Sequence, residues 1–519
     1  MNRIFLLMKA QTVNYFFLNE IFGQHGGKRG PVFITAAGIL TLLLFLGGYT
    51  GLTAAALVSM GQQDMIPAYM VAVSSFIILV FTLLRSNGIL FGSRDFEMLC
   101  ALPLEAGEMI SSKFGFLYLI NLAFSALFMV PAGVVWLIGT GRHGVPFLFY
   151  LVSVFFVPLI PMCVASAAGF VITLLSAGSR RKNLLSLVFS FGALGLLLGA
   201  GIYGMYGGVE EGSLGTVLAG QISRLYPLSA WFLYPHSLSV LWNVVFWLVS
   251  VFAFWAFVRV TAVHYNRLNA ILLQNHASEA GKADLMRRSS FVAMYRKELG
   301  RYFGSYLYVL NTGLGVVCLL VVCIAICIIP PETLGGYAGI EDAISFFGQY
   351  APLIVVVMLS LSCPAALSVS LEGKNIWILQ SVPLPFRTFL NSKIAVTLSL
   401  HAVGYLTALP VFILRFRLDG VRLAALIVVP AVYSVFTAVQ GICINCCFPR
   451  FDWDNEMVVI KQSMAVILSG VTGMLCVAVP ALLHWFFGLP FGMVLWGWAG
   501  ILLCVSGLLY RKACQTKII

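Results

Sequence analysis

Few side chains in this sequence could do chemistry, and those few stand without the partners that chemistry needs. Cys443-Ile444-Asn445-Cys446-Cys447 has the close thiol spacing of a zinc site, but no second ligand pair or nearby histidine completes it. Gly23-Gln24-His25-Gly26-Gly27-Lys28-Arg29 is glycine-rich and basic, yet it has the wrong spacing for a Walker A loop and lacks the Ser or Thr that would hold Mg²⁺. Glu97, Glu105 and Glu108 could serve as acid–base groups, but in a charged loop they read better as solvated or partner-contacting carboxylates. His401 lies within an uncharged stretch and His484 near the end of one. A lone histidine in such a stretch reads as a hydrogen-bonded packing residue, with a proton relay as the alternative. There is no His-Glu-x-x-His, no Gly-x-Ser-x-Gly and no pair of carboxylates within an apolar run. No catalytic residue, metal or cofactor is therefore expected in this chain, which is expected not to be an enzyme.

The elements around these residues explain why they are so sparse. Of 519 residues, 60% are hydrophobic and only 10% charged, with a mean hydropathy of +0.97. Soluble domains average about 25% charged residues, so a soluble enzyme, a disordered chain and a coiled coil are all excluded. Uncharged stretches cover residues 30–63, 65–84, 114–141, 143–179, 183–209, 237–258, 302–331, 343–371, 394–414, 423–449 and 462–510. One membrane span takes about 20 apolar residues. The first ten stretches hold one span each, and the last, interrupted by Gly488-Leu489-Pro490, holds two. The expected fold is thus all-α and polytopic, with about twelve transmembrane helices. All the acidic and basic residues are expected in loops or at span ends. Cysteines such as Cys318, Cys323, Cys327, Cys363, Cys476 and Cys504 fall within spans, where a thiol packs as a small hydrophobe. Gly195-x-x-x-Gly199 and Gly204-x-x-x-Gly208 fit close helix–helix contact.

The net charge of +12 reads as a topology signal rather than as affinity for nucleic acid. With the N-terminus inside, twenty-six of the 31 Lys and Arg residues fall in alternate loops on one side, leaving Arg142, Arg224, Arg415, Arg417 and Arg422 on the other. That bias puts both termini in the cytoplasm, with attraction to anionic lipid as a secondary effect. The apolar run Ile4–Met8 is too short for a cleavable signal peptide, whose core spans about 7–15 residues.

Residues 266–290 form the longest polar stretch between spans, dividing the chain into a first six-span half (1–265), a cytoplasmic linker (266–290) and a second six-span half (291–519). The halves repeat at a gap-free offset of 280. Asp95-Phe96-Glu97-Met98-Leu99-Cys100-Ala101-Leu102-Pro103-Leu104 aligns with Asn375-Ile376-Trp377-Ile378-Leu379-Gln380-Ser381-Val382-Pro383-Leu384, and Ile110-Ser111-Ser112-Lys113 with Leu390-Asn391-Ser392-Lys393. Since six is even, the repeat is parallel. An amphipathic interfacial helix is expected before each half: Ile4–Phe22, and a second one with Phe291, Tyr295, Leu299, Tyr302 and Phe303 on one face and Arg296, Lys297 and Arg301 beside them.

The aligned segments are loops of more than twenty residues, Arg85–Lys113 and Glu372–Lys393, where a bare connection needs about 4–6. Their amphipathic pieces suit docking in a partner's groove. In each, a proline (Pro103, Pro383) sets a bend, and Lys113 and Lys393 close the loop as snorkelling anchors. Glu105 and Arg387 are the charged contacts expected to matter most. A further long segment, residues 208–235, carries Tyr226, Pro227, Trp231 and Phe232. It is expected to face outward, dip its aromatic residues into the membrane surface and partly cover a pathway exit.

Together with Leu7-Met8-Lys9-Ala10-Gln11, Asn14-Tyr15-Phe16-Phe17, Met294-Tyr295-Arg296-Lys297-Glu298-Leu299, Phe451-Asp452-Trp453-Asp454-Asn455-Glu456 and Lys461-Gln462, these loops make the chain resemble the permease subunits of type-two ATP-binding cassette exporters. It is most similar in plan to the fused twelve-span bacterial form. The resemblance implies two copies of a separate cytosolic ATPase, which carry the ATP and Mg²⁺, with Asp95–Lys113 and Asn375–Lys393 as coupling elements seated in them. It also implies a location in the cytoplasmic membrane and two halves lining a substrate path. The second half departs from the family by having only a short connection near Gly488. The alternatives are an ion-coupled secondary transporter, which would need a coupling-ion site, and a non-transport scaffold or sensor.

Overall fold

The computed structural model describes residues 3–15, 43, 46–89, 99, 101–140, 145–177, 179, 182–206, 226–233, 239–274, 289–331, 342–416, 418–453, 456, 459, 460 and 463–516. All regular structure among them is helical. The chain divides into two compact units, Met1–Gly281 and Lys282–Ile519.

In the first unit, α1 (Arg3–Tyr15) precedes α2 (Ile66–Ile89), α3 (Ala106–Thr140), α4 (Val145–Ser153), α5 (Leu159–Ala177), α6 (Lys182–Tyr206) and α7 (Ser239–Gln274). Helix α2 packs on α3 and α5, α7 packs on the same two, and α1 lies along α3. Helix α7 continues through residues 266–274, well into the polar stretch that separates the halves in sequence.

The second unit opens with α8 (Ser290–Gly304), followed by α9 (Tyr306–Ile328), α10 (Ala343–Ser360), α11 (Ala365–Ser368), α12 (Ile376–Ser381), α13 (Phe386–Phe416), α14 (Gly420–Cys447), α15 (Met464–Phe487) and α16 (Phe491–Gln515). Its central helix is α14, which packs on α10, α11, α13, α15 and α16, while α8 lies along α13 as α1 lies along α3. Several starts are capped from the sequence: Ser289, Asp342, Asp419 and Ser463 each accept a hydrogen bond from a backbone N–H of the first turn. Helix α15 ends at Gly488, whose φ of +63° is the left-handed stop that the Gly-Leu-Pro run predicts.

Ten helices are long and apolar enough to cross a membrane among the described residues. The other two expected spans lie in residues 30–63, described only in part, and 183–209, where α6 occupies 182–206. The break between α10 and α11 frees backbone groups that neighbouring helices satisfy. Tyr308 donates to Pro364 O at 2.9 Å, Thr397 accepts from Ala365 N at 3.0 Å, and His401 Nε2 lies 2.6 Å from Ser362 O. His401 thus sits buried as a packing residue at a helix break.

The glycine motif of the first half does not make the close contacts expected of it. A methyl group on Gly195 or Gly199 would meet nothing within 4 Å, whereas one on Gly315 would run into Met358 O and one on Gly441 into Cys363 Sγ. Close approaches occur instead where α9 crosses α10 and α14 crosses the α10–α11 break, and in the first unit at Gly133 against Tyr150 and Gly139 against Val58, none of them in a Gly-x-x-x-Gly motif. Cys443 and Cys446 are buried in the core that α14 shares with α13 and α16.

Candidate functional site

The two loops aligned in sequence have the same local structure. Burial repeats position by position over residues 101–118 and 381–398, apart from the pairs Gly107/Arg387 and Ser111/Asn391. Hydrogen bonds repeat with it. Leu104 N donates to Leu102 O at 2.8 Å and Leu384 N to Val382 O at 2.7 Å. Ser112 Oγ donates to Met109 O at 2.8 Å and Ser392 Oγ to Phe389 O at 2.7 Å. In both, the chain turns at an exposed Pro103 or Pro383 and starts the long helix α3 or α13 three residues later. Proline suits that turn because its fixed φ and missing N–H cost nothing there.

Asp95 and Glu97 lie outside the described residues. Glu105 is exposed, and its N–H donates to Glu108 Oε2 at 3.2 Å, closing the first turn of α3. Glu108 also faces Arg3 of α1 at 3.8 Å. In the second unit Asn375, Pro383 and Arg387 are exposed, and the short helix α12 buries none of its residues. Trp377 is 61% exposed and Ile378 47%, followed by an exposed Val382. An apolar rim on a polar loop is a contact surface in waiting.

Lys113 and Lys393 do not snorkel. Lys113 is 2% exposed, with its ammonium 5.9 Å from the Tyr265 ring, and Lys393 is 1% exposed. Lys393 Nζ donates to Glu372 Oε1 at 2.9 Å and to Ser368 O at 2.7 Å, and it stands 3.0 Å from Glu298 Oε1. A buried ammonium needs such partners, because burial without them costs several kcal/mol.

Around this lysine the structure assembles a cluster that the sequence reading missed. Glu298, on the helix ahead of the first span of its half, and Glu372, in a turn after the second, are both buried. From α8, Lys297 Nζ donates to Glu372 Oε2 at 2.9 Å, while Arg301 donates to Glu372 Oε2 at 2.8 Å and to Glu298 Oε1 at 3.4 Å. Burial works against the charge on Arg301, but its hydrogen bond to Glu372 and the fields of both carboxylates outweigh this and raise its pKa. The inward face of α8 is accordingly Met294, Glu298 and Tyr302, a stripe at i, i+4 and i+8. Of the aromatic residues on this helix, Tyr302 is buried while Phe291 and Phe303 are left exposed. A glutamate in the middle of that stripe was the available signal.

Glu372 sits in a 3₁₀ turn, Ser370–Asn375, whose backbone is pinned from three sides. Asn445 Oδ1 accepts from Val369 N and Ser370 N at 2.9 and 3.0 Å, and Trp453 Nε1 donates to Ser370 O at 2.8 Å. Gly373 has φ +57° and ψ −147°, a conformation essentially reserved for glycine, and a methyl group there would press on the Trp453 indole at 2.9 Å.

Of the outer segment only residues 226–233 are described, and these are packed into protein. Residues Pro227–Phe232 form a 3₁₀ helix against α2 and α7. Phe232 is fully buried, edge-on to Phe246 at 5.1 Å, and Trp231 lies 5.5 Å from Trp242. Tyr226 joins the same core, while Pro227 is exposed. Phe232 therefore anchors the segment to the first unit's bundle instead of inserting into lipid.

Ten apolar helices long enough to cross a bilayer among the described residues define a polytopic helical membrane protein. The chain belongs to the family described as membrane proteins of 12 TMs, whose model matches residues 32–511. No curated protein matches it.

Proposed function

We propose that this protein is the permease subunit of an ATP-driven exporter, with two copies of a cytosolic ATP-binding cassette ATPase docking at residues 95–113 and 375–393. The observation that carries this reading is the repeated turn at Pro103 and Pro383, each beside exposed apolar residues, Leu102 in the first unit and Trp377, Ile378 and Val382 in the second. Two equivalent docking turns call for two equivalent partners. The chain itself carries no Walker A loop, so the partner supplies the nucleotide site, the ATP and the Mg²⁺. In this reading the docking turns, both termini and residues 266–290 face the cytoplasm, as the Lys and Arg distribution requires.

An ion-coupled carrier would need a free carboxylate within the bundle. Glu298 and Glu372 are the buried acids at hand, but three cations neutralise them and leave no anionic site. That weighs against this alternative.

Co-expression and purification of the full chain with candidate cytosolic ATP-binding cassette ATPases tests the proposal. The expected result is a complex with two ATPase copies per chain, whose hydrolysis rises when the permease is present. Failure of any such ATPase to bind, or binding that survives loss of both docking turns, would overturn it. Impermeant labelling of Ser278→Cys from outside the cell would overturn the orientation.

A further inference from the structure

The buried cluster joins α8 to both ends of the second aligned segment: Glu298 on α8, Glu372 at the root of the docking segment, and Lys393 in α13. We propose that these three side chains form a clamp that makes α8, the docking segment and the head of α13 one mechanical unit, so that a displacement applied at Ile376–Val382 is delivered to α8. Glu298 and Arg301 are then positioning residues for coupling. This rests on the docking reading above for its purpose, though not for its mechanics.

The mechanics follow from where burial begins. Helix α12 has no fully buried residue and touches the core through the partly buried Leu379, so a load applied there meets its first fully buried point at Ser370–Gly373. At that point Glu372 accepts from Lys297, Arg301 and Lys393. The first two belong to α8 and the third to α13, and Lys393 reaches back to Glu298 of α8 at 3.0 Å. Apolar surfaces slide over one another at small cost. Opposite charges out of water do not part easily, because each separated group is left bare in a low dielectric. The joint is therefore stiff against separation in a way that ordinary helix packing is not.

The other face of the same turn is equally held. Asn445 of α14 accepts both Val369 N and Ser370 N, and Gly373 makes its one unusual bend under the Trp453 ring. Motion of the docking segment cannot be absorbed at its root. The path of least resistance is movement of α8, which carries exposed Phe291, Val292 and Phe303 on its other side. In a chain that spans the bilayer, an amphipathic helix of this kind lies at the interface. The clamp thus links a partner-binding surface to a membrane-interface helix.

Distance measurement between spin labels at Trp377→Cys and Val292→Cys, both exposed, tests this in the full chain with its native cysteines replaced. The intact clamp should give one narrow distance distribution. Glu298→Gln should widen it about twofold, as local unlinking predicts. Arg301→Met removes a half-buried cation while leaving two cations for two carboxylates, so it keeps the fold and should also widen the distribution. An unchanged width in Arg301→Met, or a broad distribution before any substitution, would overturn the clamp. With the ATPase added, Arg301→Met should bind it normally and lose the stimulation of hydrolysis. A merely structural role would instead lower thermal stability and leave stimulation per folded molecule intact. If no ATPase binds the parent chain, the permease reading fails while the spin-label result still decides the clamp.

Discussion

Lys393 places its ammonium 2.9 Å from Glu372 and 3.0 Å from Glu298, closing a triangle of buried charge between α8, α13 and the root of a docking segment. Lys393 is the member shared by both carboxylates, and this makes its substitution costly.

Lys393→Met should destabilise the second unit by about 3–5 kcal/mol, because it removes the one fully buried cation of the cluster and leaves Glu298 with only the longer contacts to Arg301 at 3.4 Å and Lys297 at 4.0 Å. Replacing the trio together, with Lys393→Met, Glu298→Leu and Glu372→Leu, removes the buried charges as well and should cost far less. Thermal unfolding of the detergent-solubilised chain compares the two, and equal losses would show that the site is not electrostatic.

Trp377→Ala with Ile378→Ala should leave thermal stability within about 0.5 kcal/mol of the parent, since neither side chain is buried and surface changes are near neutral. The same pair should abolish capture of the partner ATPase by the second docking segment, read by crosslinking from position 385 with position 105 as the internal control.

Phe232→Ala should cost about 3–5 kcal/mol, because it empties a fully buried site against Phe246. Pro227, exposed on the same short helix, should tolerate alanine. Protease sensitivity of the outer segment, together with the melting temperature, separates loss of this anchor from general unfolding.

Gly315→Ala should be strongly destabilising, by at least about 1–3 kcal/mol, because the added methyl meets the carbonyl oxygen of Met358 and backbone cannot step aside. Gly195→Ala should be silent, since nothing lies within 4 Å. The yield of folded protein and its melting temperature check the contrast. The reverse order would mean that the first half packs through its spaced glycines after all.

The helical spans, the stop at Gly488 and the repeated turns at Pro103 and Pro383 were legible in the sequence, because each is a local property. A run without charge must be a span if the chain is to cross a membrane, and a Gly-Leu-Pro run cannot continue a helix. Likewise, aligned residues at a constant offset of 280 fold alike when their local sequence is alike, as Pro103 and Pro383 do. What the tertiary structure alone decided is where each borderline side chain points. A lysine at the head of a span can reach out to the interface or turn inward, and only the arrival of Glu298 and Glu372 from other parts of the chain turns Lys393 inward. The same holds for α8, where Glu298 turns inward because α13 supplies a cation for it. It holds again for Gly195 and Gly315, which are alike in sequence and differ only in whether a neighbouring backbone comes within contact. Burial is a property of pairs of segments, and the pairing of segments is settled by packing the whole chain.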